Sequence, residues 1–377
     1  MKIVLAPDKF KGSLTAIEFC YLVAAGIREK IPEAQIISLP LADGGDGTID
    51  ILNFYLKGDF LSAQVHDPLF RTITARYLYS ENSETAFIEM AEASGHKLLK
   101  PSEKNCKNAT TLGTGELIMD AVSKGAKKII LGIGGSATND CGMGMATALG
   151  YQFLNSLGES VSPIGANLSE VAAIDVAEVD ERLKNIEFFL ACDVSNPLYG
   201  MNGAAHVYAQ QKGATPEDIV LLDQGLKDFA SVLENHFGIN PQEVPGAGAA
   251  GGMGIGSMLF LSAHLVPGID MIKKLANFDS EIENADWIIT GEGQLDEQTL
   301  SGKTINGVIQ SGQEQGIPVA SFCGNITLSP SEIRNMGIQY SDAIMKRAVN
   351  IRDAMENSEM YLKEMAVDFT NWLLKEA

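Results

Sequence analysis

The amino-acid sequence predicts an α/β protein: both chain ends build one doubly wound parallel-sheet domain, and the middle forms an inserted second α/β domain of the α+β kind. Three observations carry that reading. Short apolar runs alternate with amphipathic helical stretches near both ends of the chain, as strand–helix–strand units do. The middle carries a hairpin-like pair of alternating segments instead. A length of 377 residues, at about 150 residues per domain, favours two domains. The boundaries fall near 62 and 280, so residues 1–62 and 280–377 make the discontinuous domain and 63–279 the insert. Two domains place a ligand cleft at their interface.

Lys2 to Ala6 is a short apolar strand. Thr15 and Glu18 have capping-box spacing and open a helix that ends near Lys30, before Pro32. Gln35 to Leu41 is the second strand, and Thr48 to Leu56 a helix. Thr72 to Tyr79 and Glu84 to Met90 alternate like hairpin strands around the turn at Ser80. Thr111 to Ser123 is helical; Lys127 to Ile133 and Asn185 to Cys192 are strands. Pro216 to Phe237 and Ala249 to Ala263 read as helices. Asp286 to Thr290 is a strand, Ile305 to Gln315 a helix and Ile317 to Cys323 a strand; Ala343 to Met345 belongs to another. Ile351 to Glu376 reads as one long amphipathic helix.

Composition narrows the function classes. The formal net charge is −20, which disfavours nucleic acid as a partner, since phosphate-backbone binding needs clustered Lys and Arg. The five cysteines form no CxxC, which points to a reduced, cytoplasmic compartment. No apolar run reaches the ~20 residues that a membrane span needs, and the N-terminus lacks a signal-peptide pattern. An anionic small substrate would rest on a few local cations, backbone amides or a divalent metal.

Several glycine-rich loops follow predicted strands, where α/β proteins bind ligands. Asp286 to Thr304 joins a strand, an acidic glycine loop, Gly302-Lys303-Thr304 and a helix, in the manner of a phosphate cradle. The P-loop pattern fails, because Glu297 stands where its first glycine belongs. In this stretch Gly291, Gly293 and Lys303 are candidates for nucleotide phosphates and Asp296 for a metal. Asp43 and Asp46 could reach one divalent metal or a substrate hydroxyl, or cap the next helix. Lys9, Lys11 and Ser13, before a helix N-terminus, form a candidate anion site; Lys11 is also a candidate catalytic cation. Ser136 and Asn139, in the loop from Gly132 to Asp140, are candidate substrate contacts. Gly132, Gly134 and Ala137 match a dinucleotide pattern weakly, since no acid ends the following strand-like run. Asp193, at a strand end, is a candidate general base or metal ligand. Gly251 and Gly252 lie in a run from Pro245 to Gly256 whose use is close backbone approach to a ligand or another element; a nucleotide-facing loop is the preferred reading. The five histidines have no zinc spacing, and no serine-hydrolase elbow is present.

Taken together, these loops resemble the bacterial glycerate kinase family of the non-P-loop type. The matching segments include APDKFKGSLTA from Ala6, ADGGDGT from Ala42, GTGELI from Gly113, GGSATNDCGMG from Gly134, CDVSNPLYGMNGAA from Cys192, PGAGAAGGMG from Pro245 and TGEGQLDEQTLSGK from Thr290. Asp46 stands where the family often carries Glu, and Cys141 where a glycine is usual. The resemblance implies a flavodoxin-like first domain and ATP-dependent phosphorylation of D-glycerate with Mg2+, favouring 2-phosphoglycerate over 3-phosphoglycerate. It carries no residue roles, so those above rest on physical grounds. A homodimer is compatible with the sequence. The alternatives are an NAD-dependent oxidoreductase of a small hydroxy acid, using Gly132 to Ala137, and a non-catalytic anion-binding protein.

Overall fold

The computed structural model describes residues 1–10, 12–42, 48–296 and 303–376, with Lys303 and Glu376 by backbone alone. Among them the strands are β1 (Lys2–Leu5), β2 (Gln35–Ser38), β3 (Asp59–His66), β4 (Thr72–Ser80), β5 (Thr85–Glu89), β6 (Lys128–Gly132), β7 (Gln152–Leu154), β8 (Ala173–Asp175), β9 (Glu187–Ala191), β10 (His264–Val266), β11 (Trp287–Leu295), β12 (Val319–Ile326) and β13 (Ile338–Ala343). The chain packs as two compact units, Met1–Tyr55 with Gly268–Ala377, and Leu56–Pro267.

The first unit holds a five-stranded sheet ordered β13-β12-β11-β1-β2, parallel throughout. Renumbered within the unit this is 2-1-3-4-5, the flavodoxin-like doubly wound order. Strand alternation explains the layering. Ile3, Leu5, Ile289 and Phe322 share one core with Phe19 and Phe369, which come from the helices Ala16–Arg28 and Ser358–Glu376. Gly26 lets those two helices close up, since a Cβ there would stand 2.7 Å from the Ala366 Cβ. On the opposite face, Gly312 of the helix Lys303–Gln315 sits against Val319 and Ile288.

Three local expectations need correction here. β11 runs on to Leu295 instead of ending at Thr290, because β12 pairs with it as far as Leu295↔Ile326; that partner is invisible to a local pattern. Gly291 and Gly293 therefore lie within a strand. The segment Ala343 to Met345 is the end of β13 followed by a tight turn at Ile344–Lys346. The last helix is two, Ile351–Glu356 and Ser358–Glu376. Asn357 Nδ2 donates to Asp353 Oδ1 (2.7 Å) and Ser358 Oγ to Met355 O (3.2 Å), side-chain bonds that compete with helix continuation.

The second unit holds a mixed sheet ordered β10-β9-β6-β5-β4-β3. Strands β5, β6, β9 and β10 are parallel, while β4 is antiparallel to both β5 and β3. Its register aligns Glu89 with Gly132 and Gly132 with Ala191. The segments that follow these three strands therefore leave the sheet side by side at one carboxyl edge. The helix Pro216–Phe237 has the bounds its sequence predicts, set by a Thr215/Asp218 capping box, Pro216 in the first turn and Gly238 at φ 72.

Candidate active site

In the first unit the carboxyl end of β1 carries Asp8. Its backbone N–H donates to Gly291 O (2.8 Å), its Oδ1 accepts from the Lys9 amide (2.7 Å), and its Oδ2 accepts from the Thr304 hydroxyl (2.8 Å). Thr304 is buried in the first turn of the helix opened by Lys303. Two loops far apart in sequence thus meet at one carboxylate. Lys9 and Asp8 also line a cavity of about 460 Å³ with Asp50, Asn53 and Phe54, within the size range of small-ligand clefts. Asp8 is not among the residues the sequence singles out, although its place at a strand end is a signal for it.

The other candidates of this unit divide. Lys11, Asp43 and Asp46 lie outside the described residues, as does the side chain of Lys303. Ser13 closes a tight turn, with the Phe10↔Leu14 bridge beside it. The neighbouring helix start is occupied by the protein's own carboxylate: Glu18 accepts from the Thr15 amide (2.8 Å) while Thr15 Oγ1 accepts from the Glu18 amide (3.1 Å). Gly291 is buried, and a Cβ there would overlap Phe322 O and crowd the Phe19 ring, so packing alone requires glycine. Asp296 follows the end of β11, and its Oδ2 accepts from Gln294 Nε2 (2.9 Å).

In the second unit the glycine-rich segments pack on each other. Cys141 N donates to Gly251 O (3.0 Å), and a Cβ at Gly252 would stand 2.8 Å from the Cys141 Cα. Ala250, Gly251 and Gly252 all have positive φ (52°, 76°, 92°). The predicted helix from Ala249 is interrupted there, and the close approach that Gly251 and Gly252 make is to the 138–141 backbone. Cys141, where the family usually has glycine, adopts φ 54°, a left-handed conformation costing roughly 1–2 kcal/mol with a side chain. The next helix begins only at Met143 and is six residues long. A dinucleotide fingerprint needs a helix opening on its glycines, so Gly132, Gly134 and Ala137 do not form one.

Beneath this loop lies a buried polar cluster. Asp140 Oδ2 accepts from the Thr111 amide (2.8 Å), the Thr111 hydroxyl (2.8 Å) and the Gly144 amide (3.1 Å). Burial pushes its carboxyl pKa up, and the Thr111 bonds oppose that rise. Lys212 Nζ, on a side chain with 5% exposure, donates to Ser136 Oγ (2.7 Å) and Thr138 O (2.9 Å). Asn139 is fully buried, and neither of its side-chain polar atoms has a partner, an arrangement that usually marks an internal water or ion. Lys212 carries no motif; a lone Lys between Gln211 and Gly213 reads as surface, and only the fold shows it is inside. Asp193 is half-buried just past the end of β9.

Burial pushes the Lys212 pKa down from 10.5 to about 8, with Cys106 and Asp140 pulling it back up. A group with a lowered folded-state pKa contributes stability above its unfolded value, and loses it as pH falls through the folded value. Between these values the native chain sheds the proton that the unfolded chain keeps. The wild-type advantage over Lys212→Met, measured by urea unfolding at about pH 7.5 and about pH 10, should therefore grow with pH by up to about 3 kcal/mol. A constant difference would show that Lys212 keeps its proton throughout.

These loops define an α/β protein whose candidate sites lie at strand carboxyl ends, with neither a P-loop sequence nor a dinucleotide fingerprint. The model of the glycerate kinase family matches residues 3–374. The chain is 41% identical to a glycerate kinase of Halalkalibacterium halodurans, over 97% of this chain and 96% of that protein. It is also 41% identical to the glycerate 2-kinase of Escherichia coli K12, over 95% and 94%. A solved structure from Salmonella typhimurium LT2, of a protein provisionally named glycerate kinase 2, superposes with a TM-score of 0.89 at 36% identity, covering 100% of this chain and 99% of that one. The chain belongs to the glycerate kinase family, and the resemblance read from its loops is confirmed. No helix among the described residues is long and apolar enough to cross a membrane.

Proposed function

We propose that this protein phosphorylates D-glycerate with ATP and Mg2+, giving 2-phosphoglycerate. The single observation supporting this reading is full-length similarity at about 41% identity to glycerate kinases, one of them named for the 2-position. Phosphoryl transfer asks a protein mainly for positioning and charge stabilisation, and strand-end loops bearing Lys9, Asp8, Ser136 and Asp193 suit that demand. In this reading Lys9, Lys11, Ser13, Ser136 and Asn139 serve the acid, and Asp193 takes the hydroxyl proton. Lys303 serves the nucleotide with Gly293, while Gly251 and Gly252 pack against the 138–141 backbone. The five free cysteines, four of them buried, suit a reducing cytoplasm.

Magnesium takes oxygen ligands and is commonly held by one or two carboxylates plus substrate phosphates. The half-buried carboxylates of Asp8 and Asp296 provide donors of that kind. Asp296 is the residue proposed to hold the ion, with Asp43 and Asp46 as the sequence candidates. Bound Mg2+ would neutralise charge on the phosphate oxygens.

A coupled ADP-release assay over small hydroxy acids, with and without EDTA, tests the activity, and phosphorus NMR reads the product position. No metal-dependent ADP release with D-glycerate would refute the reading, and thermal stabilisation by NAD would favour the oxidoreductase alternative. Lys303→Ala should raise KM for ATP about 10- to 100-fold and that for glycerate far less, as expected for a lost phosphate contact. The reverse pattern would move the Asp296–Lys303 stretch to the acid side.

A further inference from the structure

Lys212 has no part in the roles assigned so far, yet its place is tightly prescribed. It ends a tight turn, Gln210–Lys212. Its carbonyl accepts from the Cys106 amide (3.2 Å), and Gly213 follows at φ 90°, where a Cβ would overlap Lys104 O. Lys107, one residue beyond Cys106, is ion-paired with Asp218 at the start of the helix Pro216–Phe237. The longest helix of the unit therefore fixes the backbone from which the Lys212 ammonium reaches the 134–140 loop.

What that ammonium does to Ser136 follows from hydrogen-bond inventory. An ammonium only donates, and a hydroxyl has one hydrogen and two lone pairs. Ser136 Oγ accepts from Lys212 (2.7 Å), so it keeps its own O–H to give. Among the described residues that hydrogen goes to no acceptor. Accepting from a cation also polarises the hydroxyl and makes it a stronger donor. The second bond, to Thr138 O, holds the backbone on the far side of Ser136, while His96 N donates to Gly135 O (3.0 Å) on the near side. Ser136 itself is 7% exposed; beside it Gly134 and Gly135 are exposed, and a Cβ on Gly134 would meet nothing within 4 Å, so the rim of the loop is open.

We propose that Lys212 is a positioning residue for the acid substrate: it fixes Ser136 as an outward hydrogen-bond donor to an anionic carboxylate oxygen of the hydroxy acid. This rests on the reading of the protein as a glycerate kinase and adds the chemistry of one contact and the residue that sets it. Asp140 and Cys106 are the titratable groups acting on the ammonium. At neutral pH Lys212 keeps its charge, so the device is set under ordinary conditions.

The test is a double-mutant cycle on the full chain with D-glycerate and ATP as varied substrates. Lys212→Met and Ser136→Ala should each raise KM for glycerate about 10- to 100-fold, the value of one charge-assisted bond. KM for ATP should stay within about twofold, and the double variant should be no worse than the poorer single one, because both changes remove the same contact. Additive penalties, a shift confined to KM for ATP, or an unchanged KM for glycerate would each overturn the proposal. Should Lys212→Met fail to fold, Ser136→Ala alone decides, since it must still show the selective rise in KM for glycerate. A wild-type enzyme that never phosphorylates glycerate refutes the function instead, a result distinct from variants that keep a normal KM.

Discussion

Asp193→Asn should lower kcat with glycerate by about 10²- to 10⁴-fold, the usual contribution of a general base, and leave thermal stability near that of the wild type. The placement of the residue supports this. Ala191 pairs with Gly132 across β9 and β6, so Asp193 and the Ser136 loop leave adjacent parallel strands at the same edge. Asp193 is half-buried, and the segment after it is anchored independently: Tyr208 OH donates to Asn196 Oδ1 (2.6 Å), and Gly248 N donates to Asn196 O (3.0 Å). Asparagine keeps the shape while losing the negative charge and the capacity to take a proton. Full turnover in a folded variant would exclude the base assignment. Recovery of the rate by excess Mg2+ would make Asp193 a metal ligand.

The chain announces its loops more clearly than their uses. Strand and helix periodicity places β1, β6, β9 and the helix Pro216–Phe237 because local side-chain patterning dictates each of them. β3 escapes notice because it is an edge strand with a mostly exposed face, and β11 is underestimated because its last residues depend on a partner some 30 positions away. The site shows the same division. Lys9, Ser136, Asn139 and Asp193 stand out because glycines flank them or strands end beside them. Thr304 and Asp140 lie in loops the sequence marks but carry no assigned part there, and Lys212 is silent in the sequence. Their roles come from contacts spanning 296, 29 and 76 positions, and burial turns an ordinary Lys into a fixed internal cation. The glycine run from Pro245 lies between these cases: its need for close approach is legible, but not that it closes on the 138–141 backbone.

That close approach yields the largest stability effect. Gly251→Ala should destabilise the fold by about 2–5 kcal/mol, combining a left-handed alanine at roughly 1–2 kcal/mol with overpacking at roughly 1–3 kcal/mol. The residue has φ 76°, and a Cβ there would overlap Thr138 O and stand 2.7 Å from the Asn139 Cα. Relief is blocked on both sides. Thr138 O is held by Lys212 (2.9 Å), and Gly251 O accepts from the Cys141 amide (3.0 Å). Any shift that accommodates the methyl group must drag the 138–141 segment and loosen the grip on Ser136. Urea unfolding should show the loss of stability, and the surviving folded fraction should show a raised KM for glycerate. Gly238→Ala serves as the control: it shares the positive φ (72°), but a Cβ there meets nothing within 4 Å. It should cost only the conformational part, about 1–2 kcal/mol, with normal kinetics. Equal losses in the two variants would mean that backbone conformation accounts for the whole effect, and that the contact between the two glycine segments contributes nothing to holding the loop.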